Sequence, residues 1–358
     1  MAISPVTTTM LSVGTMSNNA NGDLKTGPLE SGPRRVPAGP EAAKRAAAVL
    51  AVGGLVALPT ETVYGLGADA TSGAAVAAIY ATKQRPQFNP LIAHVASLAA
   101  AQREGVFNAD ALALAKAFWP GPLTLVVPVA PNGTVSDLAR AGLNSIGLRV
   151  PAHPAALSIL EAFGKPVAAP SANRSGRISP TTADHVERDL GLGFGLIVDG
   201  GPCEIGVEST IVACLDGPPV ILRPGGVSRA DIERVLGKQL EEAAKEQAEN
   251  TVLAPGMLPS HYAPRAKVRM NAKTIKPGEA ALDFNARFGD DDENAIAYLD
   301  LSVSGSLVEA AANLFAFLHR LDASDAKTIA VAPVPEEGLG EAINDRLKRA
   351  AAPREAGP

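Results

Sequence analysis

Lys83 and Arg85 stand two residues apart, and Pro86 follows at once, so a helix leading up to them must stop there. Lysine is a compact point charge and arginine a planar fork. Two such cations on a stiffened turn have the chemistry of a polyphosphate clamp. Asn89, fixed ahead of Pro90, adds an amide to the same stretch, KQRPQFNPL. By itself a Lys/Arg pair is most often a solvated helix end, and His94 in the apolar run Leu91–Val95 is most often a satisfied core group.

Four further polar clusters change that balance. PTETVYGLG, residues 59–67, follows the apolar run Leu55–Leu58 and offers two threonine hydroxyls, a carboxylate and a tyrosine before flexible glycines. PVAAPSANRSGRISPTT, residues 166–182, opens from a buried strand into Ser171, Asn173, Ser175 and Ser179 beside Arg174 and Arg177. Small hydroxyls and an amide next to a helix start at Thr181 and Thr182 make an anion-binding arrangement. GVEST, residues 206–210, enters a strand, and Arg223-Pro224-Gly225-Gly226 ends another. Each cluster is weak alone. All five lie at the end of an apolar run, and one nucleotide-sized pocket accounts for them better than five unrelated turns.

Other chemistries lack their signatures. Gly164-Lys165 is followed by Pro166, which excludes a P-loop, and no G-x-S-x-G elbow occurs. Gly65-Leu66-Gly67 mimics a dinucleotide turn, but after Asp69 the next acid is Glu104, too far for a ribose partner, so the match is read as chance. The histidines, at 94, 153, 185, 261 and 319, never stand at ligand spacing, and Cys203 and Cys214 cannot make a zinc site, so no protein-held metal is expected. Two cysteines also fit a reducing cytosol.

The elements that must position these clusters are short strands and helices in alternation. Apolar runs recur at 91–95, 123–127, 146–150, 167–169, 196–198, 209–212 and 220–222, with helical patterns at 72–82, 109–118, 153–163, 181–190 and 228–236. The fold class is α/β, with a mixed, strongly curved sheet. The chain has 358 residues, 46% of them hydrophobic, which suggests two domains. Residues 1–40 read as a disordered extension, 41–237 as the catalytic domain, 238–265 as a linker, 266–350 as a small Rossmann-like α/β unit, and 351–358 as a disordered tail. The linker holds Met257, His261 and Tyr262 between prolines and is expected to act as a lid over 251–264. Net charge is −5, and residues 41–237 carry 15 basic and 16 acidic side chains, which weighs against nucleic-acid coating as the main activity. No apolar stretch approaches the length of a membrane span.

In this order, PTETVYGLGADA, KQRPQFNPL, FWPGPLTLV, IGLRVP, APSANRSG, VDGGP, GVESTIV and ILRPGG resemble the YrdC-type threonylcarbamoyl-AMP synthase family over residues 41–237. PGMLPSHYAP and the second α/β unit resemble the long form of that family. One departure is Lys83-Gln84-Arg85-Pro86, where the family has Lys-Gly-Arg-Pro; Gln84 is expected to stiffen the turn without removing either cation.

The resemblance implies a YrdC-like fold and synthesis of threonylcarbamoyl-AMP and pyrophosphate from L-threonine, bicarbonate and ATP, with Mg2+ accompanying the nucleotide. It places Arg85, Asn89, Ser145, Ser171, Ser179 and Arg223 around ATP, with Asn173 completing the Ser-x-Asn motif and Tyr262 reaching back over the nucleotide. Lys83 and Arg85 are the expected catalytic cations. Thr62, His94, Arg149, the Ala169 backbone and Ser209 surround L-threonine, with Arg149 suited to its carboxylate. Downstream, a tRNA-modifying threonylcarbamoyl transferase is the expected partner, with at most a weak RNA contact by this chain, in the cytoplasm and away from membranes. The rival readings are a double-stranded RNA or tRNA-binding module and a carbamoyltransferase-like module; the acylphosphatase and zinc-finger segments that accompany the latter are absent from this sequence.

Overall fold

The computed structural model describes residues 34–86, 89–242 and 260–353. Most of the expected N-terminal extension, the linker over 243–259 and the tail from 354 lie outside the described residues.

The N-terminal unit begins with β1 (Arg35–Pro37), α1 (Pro40–Ala51), β2 (Leu55–Leu58), β3 (Gly65–Asp69), α2 (Gly73–Lys83) and β4 (Ile92–His94). It continues through α3 (Leu98–Glu104), α4 (Ala109–Phe118), β5 (Leu123–Pro128), β6 (Ser145–Arg149), α5 (Pro154–Phe163), β7 (Val167–Ala168) and α6 (Ala183–Leu190). It closes with β8 (Gly195–Asp199), β9 (Thr210–Ala213), β10 (Val220–Arg223), α7 (Arg229–Leu236) and β11 (Glu241–Glu242). These strands make one mixed sheet of eleven, in the order β1-β8-β2-β3-β7-β4-β6-β5-β9-β10-β11. The ordered fold starts ahead of residue 41, because β1 pairs parallel with β8 along Arg35–Pro37.

Helix starts follow local chemistry. Ser72, Ser97, Asn108, Thr182 and Ser228 each cap a helix by accepting a backbone N–H from the third residue beyond. The glycines of β3 were expected to be a flexible turn, and here the structure differs. A Cβ on Gly67 would lie 2.7 Å from Leu58 Cδ2 and 2.9 Å from Val167 Cγ1, so close strand packing requires glycine there.

The second unit has β12 (Lys267–Arg269), β13 (Ala280–Asp283), β14 (Tyr298–Asp300) and β15 (Thr328–Val331), all parallel, in the order β12-β15-β13-β14. Helices α8 (Leu307–Asp322) and α9 (Leu339–Ala351) connect and follow them. Ahead of β14, Gly289–Asn294 winds into a 3-10 turn, and pairing starts at Tyr298. In α8, Ala310, Ala311, Leu314, Phe315, Leu318 and Leu321 recur every three or four residues and are buried.

The two units share a core. Val63, Ile178 and Val207 of the first pack in one cluster with Leu314, Phe315 and Ile343 of the second. Gly206 makes the closest approach: its φ is +75°, and a Cβ there would sit on the Ala311 and Ala312 carbonyls and 2.6 Å from Ala312 Cα. Gly206→Ala is therefore expected to cost about 2 kcal/mol or more, combining a left-handed backbone with a backbone clash. Denaturant unfolding of the full chain checks this, and an unchanged midpoint would show that the loop moves aside freely.

Candidate active site

The loop after β2 is held by Thr60, whose Oγ1 donates to the Val63 carbonyl at 2.6 Å and lies 2.8 Å from Thr62 Oγ1. With its one hydrogen on Val63, Thr60 accepts from Thr62. The loop thus presents Glu61 and Thr62 to Arg149 at the end of β6. Arg149 donates from Nη2 to Glu61 Oε1 at 2.5 Å, from Nη1 to Thr62 Oγ1 at 3.0 Å and from Nε to the Gly121 carbonyl at 3.2 Å. The other Glu61 oxygen accepts the Ala152 N–H at 3.0 Å. Burial alone would push the Glu61 carboxyl up, but the Arg149 charge and hydrogen bond hold it below the usual carboxylate range. Arg149 therefore keeps two of its five N–H donors for a ligand, and its charge is shared with a carboxylate.

His94, on β4, is the register partner of Arg149 on β6. Burial first, and the Arg149 charge second, push its imidazole down to about 3, so the ring is neutral near pH 7. Its Nδ1 has no hydrogen-bond partner among the described residues. Thr62, His94, Arg149, Ala169 and Ser209 all line one pocket. The Ala169 N–H is already given to the Ile92 carbonyl at 3.1 Å, which leaves its carbonyl for a ligand.

The basic motif folds inward. Helix α2 ends at Lys83, and Gln84 takes the left-handed conformation at φ 52°, a geometry that glycine adopts without steric cost. Both cations are buried, Lys83 at 1% and Arg85 at 7% exposure, which overturns the solvated helix end. Their positions differ, however. Arg85 lines the pocket, with Nε on the Asn89 carbonyl at 3.4 Å and Nη2 on the Pro90 carbonyl at 3.2 Å. Lys83 lies outside that lining: its ammonium donates to the Ser171 carbonyl at 2.6 Å and to the Asn173 carbonyl. As placed, Lys83 braces the Ser-x-Asn loop from behind. Burial pushes both pKa values down, that of Arg85 to about 10.

Ser171 joins Arg85 in the pocket, whereas Asn89, Ser145, Asn173 and Ser179 stand outside its immediate lining. Both polar atoms of the buried Asn89 amide and the Oδ1 of Asn173 have no partner among the described residues. Ser145 opens β6, four residues and about 13 Å along the strand from Arg149. Ser179 Oγ donates to Glu208 Oε1 at 2.5 Å. Arg223 lines the pocket and donates through Nη2 to the Ser209 carbonyl at 2.8 Å and to Ser209 Oγ at 3.2 Å. Ser209 Oγ also lies 2.8 Å from Thr124 Oγ1. His261 and Tyr262, near the C-terminal end of the linker, line the same pocket with rings 4.1 Å apart. Tyr262 is fully enclosed at φ 61°, and neither its hydroxyl nor His261 Nδ1 has a partner among the described residues.

Sequence reasoning assigned no individual role to Glu61 or Glu208. Each stood in a quoted motif, and the signal available was a carboxylate inside an otherwise hydroxyl-rich cluster. What that signal lacked was the arginine opposite, which only folding supplies.

Buried histidines give the fold an acid limit. Burial pushes His94, His185 and His261 down to about 3 and the half-buried His319 to about 4, against 6.5 for the free ring. Between those values the unfolded chain binds protons that the folded chain excludes. The stabilisation is complete above pH 6.5 and lost as pH falls. Each ring costs about 1.4 kcal/mol at pH 5.5. Chemical denaturation from pH 7.5 to 5 is expected to show stability falling well before the carboxylates titrate; a flat profile down to pH 5 contradicts it.

Known proteins resemble this chain over both units. A family model described as telomere recombination, covering Sua5, YciO and YrdC proteins, matches residues 48–225. A second, described as threonylcarbamoyl-AMP synthase, C-terminal domain, matches residues 227–352. Threonylcarbamoyl-AMP synthase of Pyrococcus abyssi is 41% identical over 322 residues, covering 85% of this chain and 92% of the relative. That of Bacillus subtilis is 40% identical over 323 residues, covering 87% and 93%. The crystal structure of P. abyssi Sua5 complexed with L-threonine superposes with a TM-score of 0.77 at 36% identity, over 88% of this chain and 96% of that one. With both family models matched in order along one chain, and relatives at this identity over most of their length, the chain belongs to the threonylcarbamoyl-AMP synthase family in its two-domain form.

Proposed function

We propose that this chain forms threonylcarbamoyl-AMP and pyrophosphate from L-threonine, bicarbonate and ATP. The observation that carries the reading is one pocket with two chemical ends. One end holds a neutral imidazole, a threonine hydroxyl and an arginine balanced by Glu61; the other holds Arg85, Arg223, Ser171 and the Tyr262 ring. The first suits an amino acid with a hydroxyl side chain, and the second a nucleotide triphosphate.

In this reading the two remaining Arg149 donors take the threonine carboxylate, and neutral His94 accepts a hydrogen bond from the amino acid. The amine, once neutral, adds to the bicarbonate-derived carbon as hydroxide leaves that carbon and takes the amine proton, so a carbamate and water result. A carbamate oxygen then attacks the α-phosphorus and pyrophosphate leaves in line. Arg85 and Arg223 stabilise charge gathering on the phosphates, in a setting where burial strengthens their effect. Mg2+ travels with ATP as part of the substrate. Lys83 contributes by fixing Ser171 and Asn173, so most of the rate comes from positioning. Tyr262 closes over the nucleotide and keeps water from a mixed anhydride prone to hydrolysis. The product is an activated acyl group, consumed by a transferase that acts on tRNA; a weak direct RNA contact belongs to the same reading. Among the described residues no helix is long and apolar enough to cross a membrane. We assign the reaction to the cytoplasm, where ATP and tRNA meet.

The direct test is incubation with ATP, bicarbonate and labelled L-threonine, followed by mass spectrometry. Formation of pyrophosphate and the adenylate supports the reading, and absence of both at saturating substrates refutes it. Arg85→Ala is expected to lower turnover about tenfold or more, because a charge contact in the transition state is worth roughly 2–4 kcal/mol. Turnover equal to wild type would reduce Arg85 to a structural cation.

Amino-acid choice gives an independent check. L-serine lacks one methyl group and is expected to be a poorer but detectable substrate, by roughly 1–3 kcal/mol. L-valine lacks the hydroxyl and leaves buried polar partners unpaired, so it is expected to be rejected more strongly. Equal use of valine and threonine would remove the hydroxyl-reading site.

A further inference from the structure

Arg346 lies on α9 of the second unit, yet it is completely buried and faces the nucleotide end of the pocket from behind. Three of its contacts each lead to a different residue of that pocket. Its Nε donates at 2.9 Å to Glu208 Oε2, while the other oxygen of the same carboxylate accepts from Ser179 Oγ at 2.5 Å. Its Nη1 donates at 2.5 Å to the carbonyl of Pro224, the residue bonded to Arg223. Its guanidinium carbon stands 5.5 Å from the centre of the Tyr262 ring, within cation–π range. Asp345, its chain neighbour, accepts a further bond from Nη1 at 3.0 Å.

We propose that Arg346 is a positioning residue for the nucleotide, through which the C-terminal domain holds Ser179, Arg223 and Tyr262 in their binding geometry. The inference rests on the nucleotide reading of this pocket and adds what the second domain does for it. Glu208 is the relay. Burial would favour its protonated form, but Arg346 and then Arg223 keep it ionised, and only the carboxylate accepts on both oxygens, from Ser179 and from Arg346 at once. A second contact supports the same coupling: His319 on α8 lies with Nε2 3.2 Å from the Ser179 carbonyl. If the domain served only as a stabilising cap, apolar contacts such as those of Phe315 and Leu314 would suffice. A buried guanidinium shared among three pocket elements is a poor way to make a cap, since each buried charge carries a desolvation penalty that an apolar contact avoids.

The test is a double-mutant cycle on the full chain with Arg346→Met, which keeps length without charge, and Glu208→Gln, which keeps an acceptor for Ser179. Binding is read by equilibrium dialysis with labelled ATP and, separately, labelled L-threonine; unfolding midpoints are recorded for each variant. Each single variant is expected to weaken ATP binding about tenfold, with threonine affinity changed less than about twofold, and the double variant is expected to be little worse than either, because both act through one relay. Arg346→Lys is expected to recover part of the loss. Losses that add fully in the double variant, or equal losses for both ligands in step with lowered midpoints, overturn the proposal in favour of a purely structural pair. Should Arg346→Met fail to fold, the cycle is run with Arg346→Lys and Glu208→Gln, and the same two outcomes decide. Dialysis of wild-type protein separates the readings: no ATP binding there refutes the nucleotide site itself, whereas binding that is indifferent to both variants refutes only the role of Arg346.

Discussion

Lys83, Arg85, Arg149, Arg223 and Arg346 are all less than 8% exposed, and the buried carboxylates set among them are Glu61 and Glu208. Taking a cation out of water costs several kcal/mol unless other groups replace its hydration. The replacement here comes largely from backbone carbonyls: those of Ser171 and Asn173 for Lys83, Asn89 and Pro90 for Arg85, Gly121 for Arg149, Ser209 for Arg223 and Pro224 for Arg346. Carbonyl dipoles compensate hydration without cancelling charge. The pocket keeps a positive excess that a polyanion relieves, and the architecture around it can be read as the means of holding that excess in place.

Strand ends supply those carbonyls. Asn89 and Pro90 lie just ahead of β4, Gly121 ahead of β5, Ser209 ahead of β9, Ser171 and Asn173 beyond β7 and Pro224 after β10, where peptide groups outside the sheet ladder can accept from side chains. The same economy explains Lys83. A lysine beside a phosphate site is naturally read as a phosphate ligand, yet here it spends its donors on the loop that carries Ser171 and Asn173. Unpaired polar atoms on the pocket wall mark the space a ligand must fill: His94 Nδ1, His261 Nδ1 and the Tyr262 hydroxyl lack partners among the described residues. Buried polar groups in folded proteins are rarely left so.

The second unit shares the core of the first through Val63, Ile178 and Val207. The GVEST segment joins them over five residues with separate tasks. Gly206 permits close approach to α8, Val207 enters the shared core, Glu208 meets Arg346, Ser209 faces the pocket, and Thr210 ties its hydroxyl to the Val227 carbonyl at 2.6 Å. One short segment leading into β9 thus serves both domains.

Much of the fold was legible in the order of residues alone, because its determinants are local. Apolar runs became β4 through β10, and serine, threonine and asparagine caps started helices where periodicity placed them. The polar clusters at strand ends were legible too, as was the grouping of Thr62, His94, Arg149 and Ser209 in one pocket. The edge strand β1 was missed because three residues carry little pattern, and β3 because glycines read as freedom where close packing needed them. Which buried charge meets which could not be read at all. Glu61 finds Arg149 across 88 residues of chain, and Glu208 finds Arg346 across 138. A side chain's type declares what it can bond to, but whether Lys83 reaches a phosphate or a carbonyl depends on the backbone brought beside it, and that is settled only when the sheet closes.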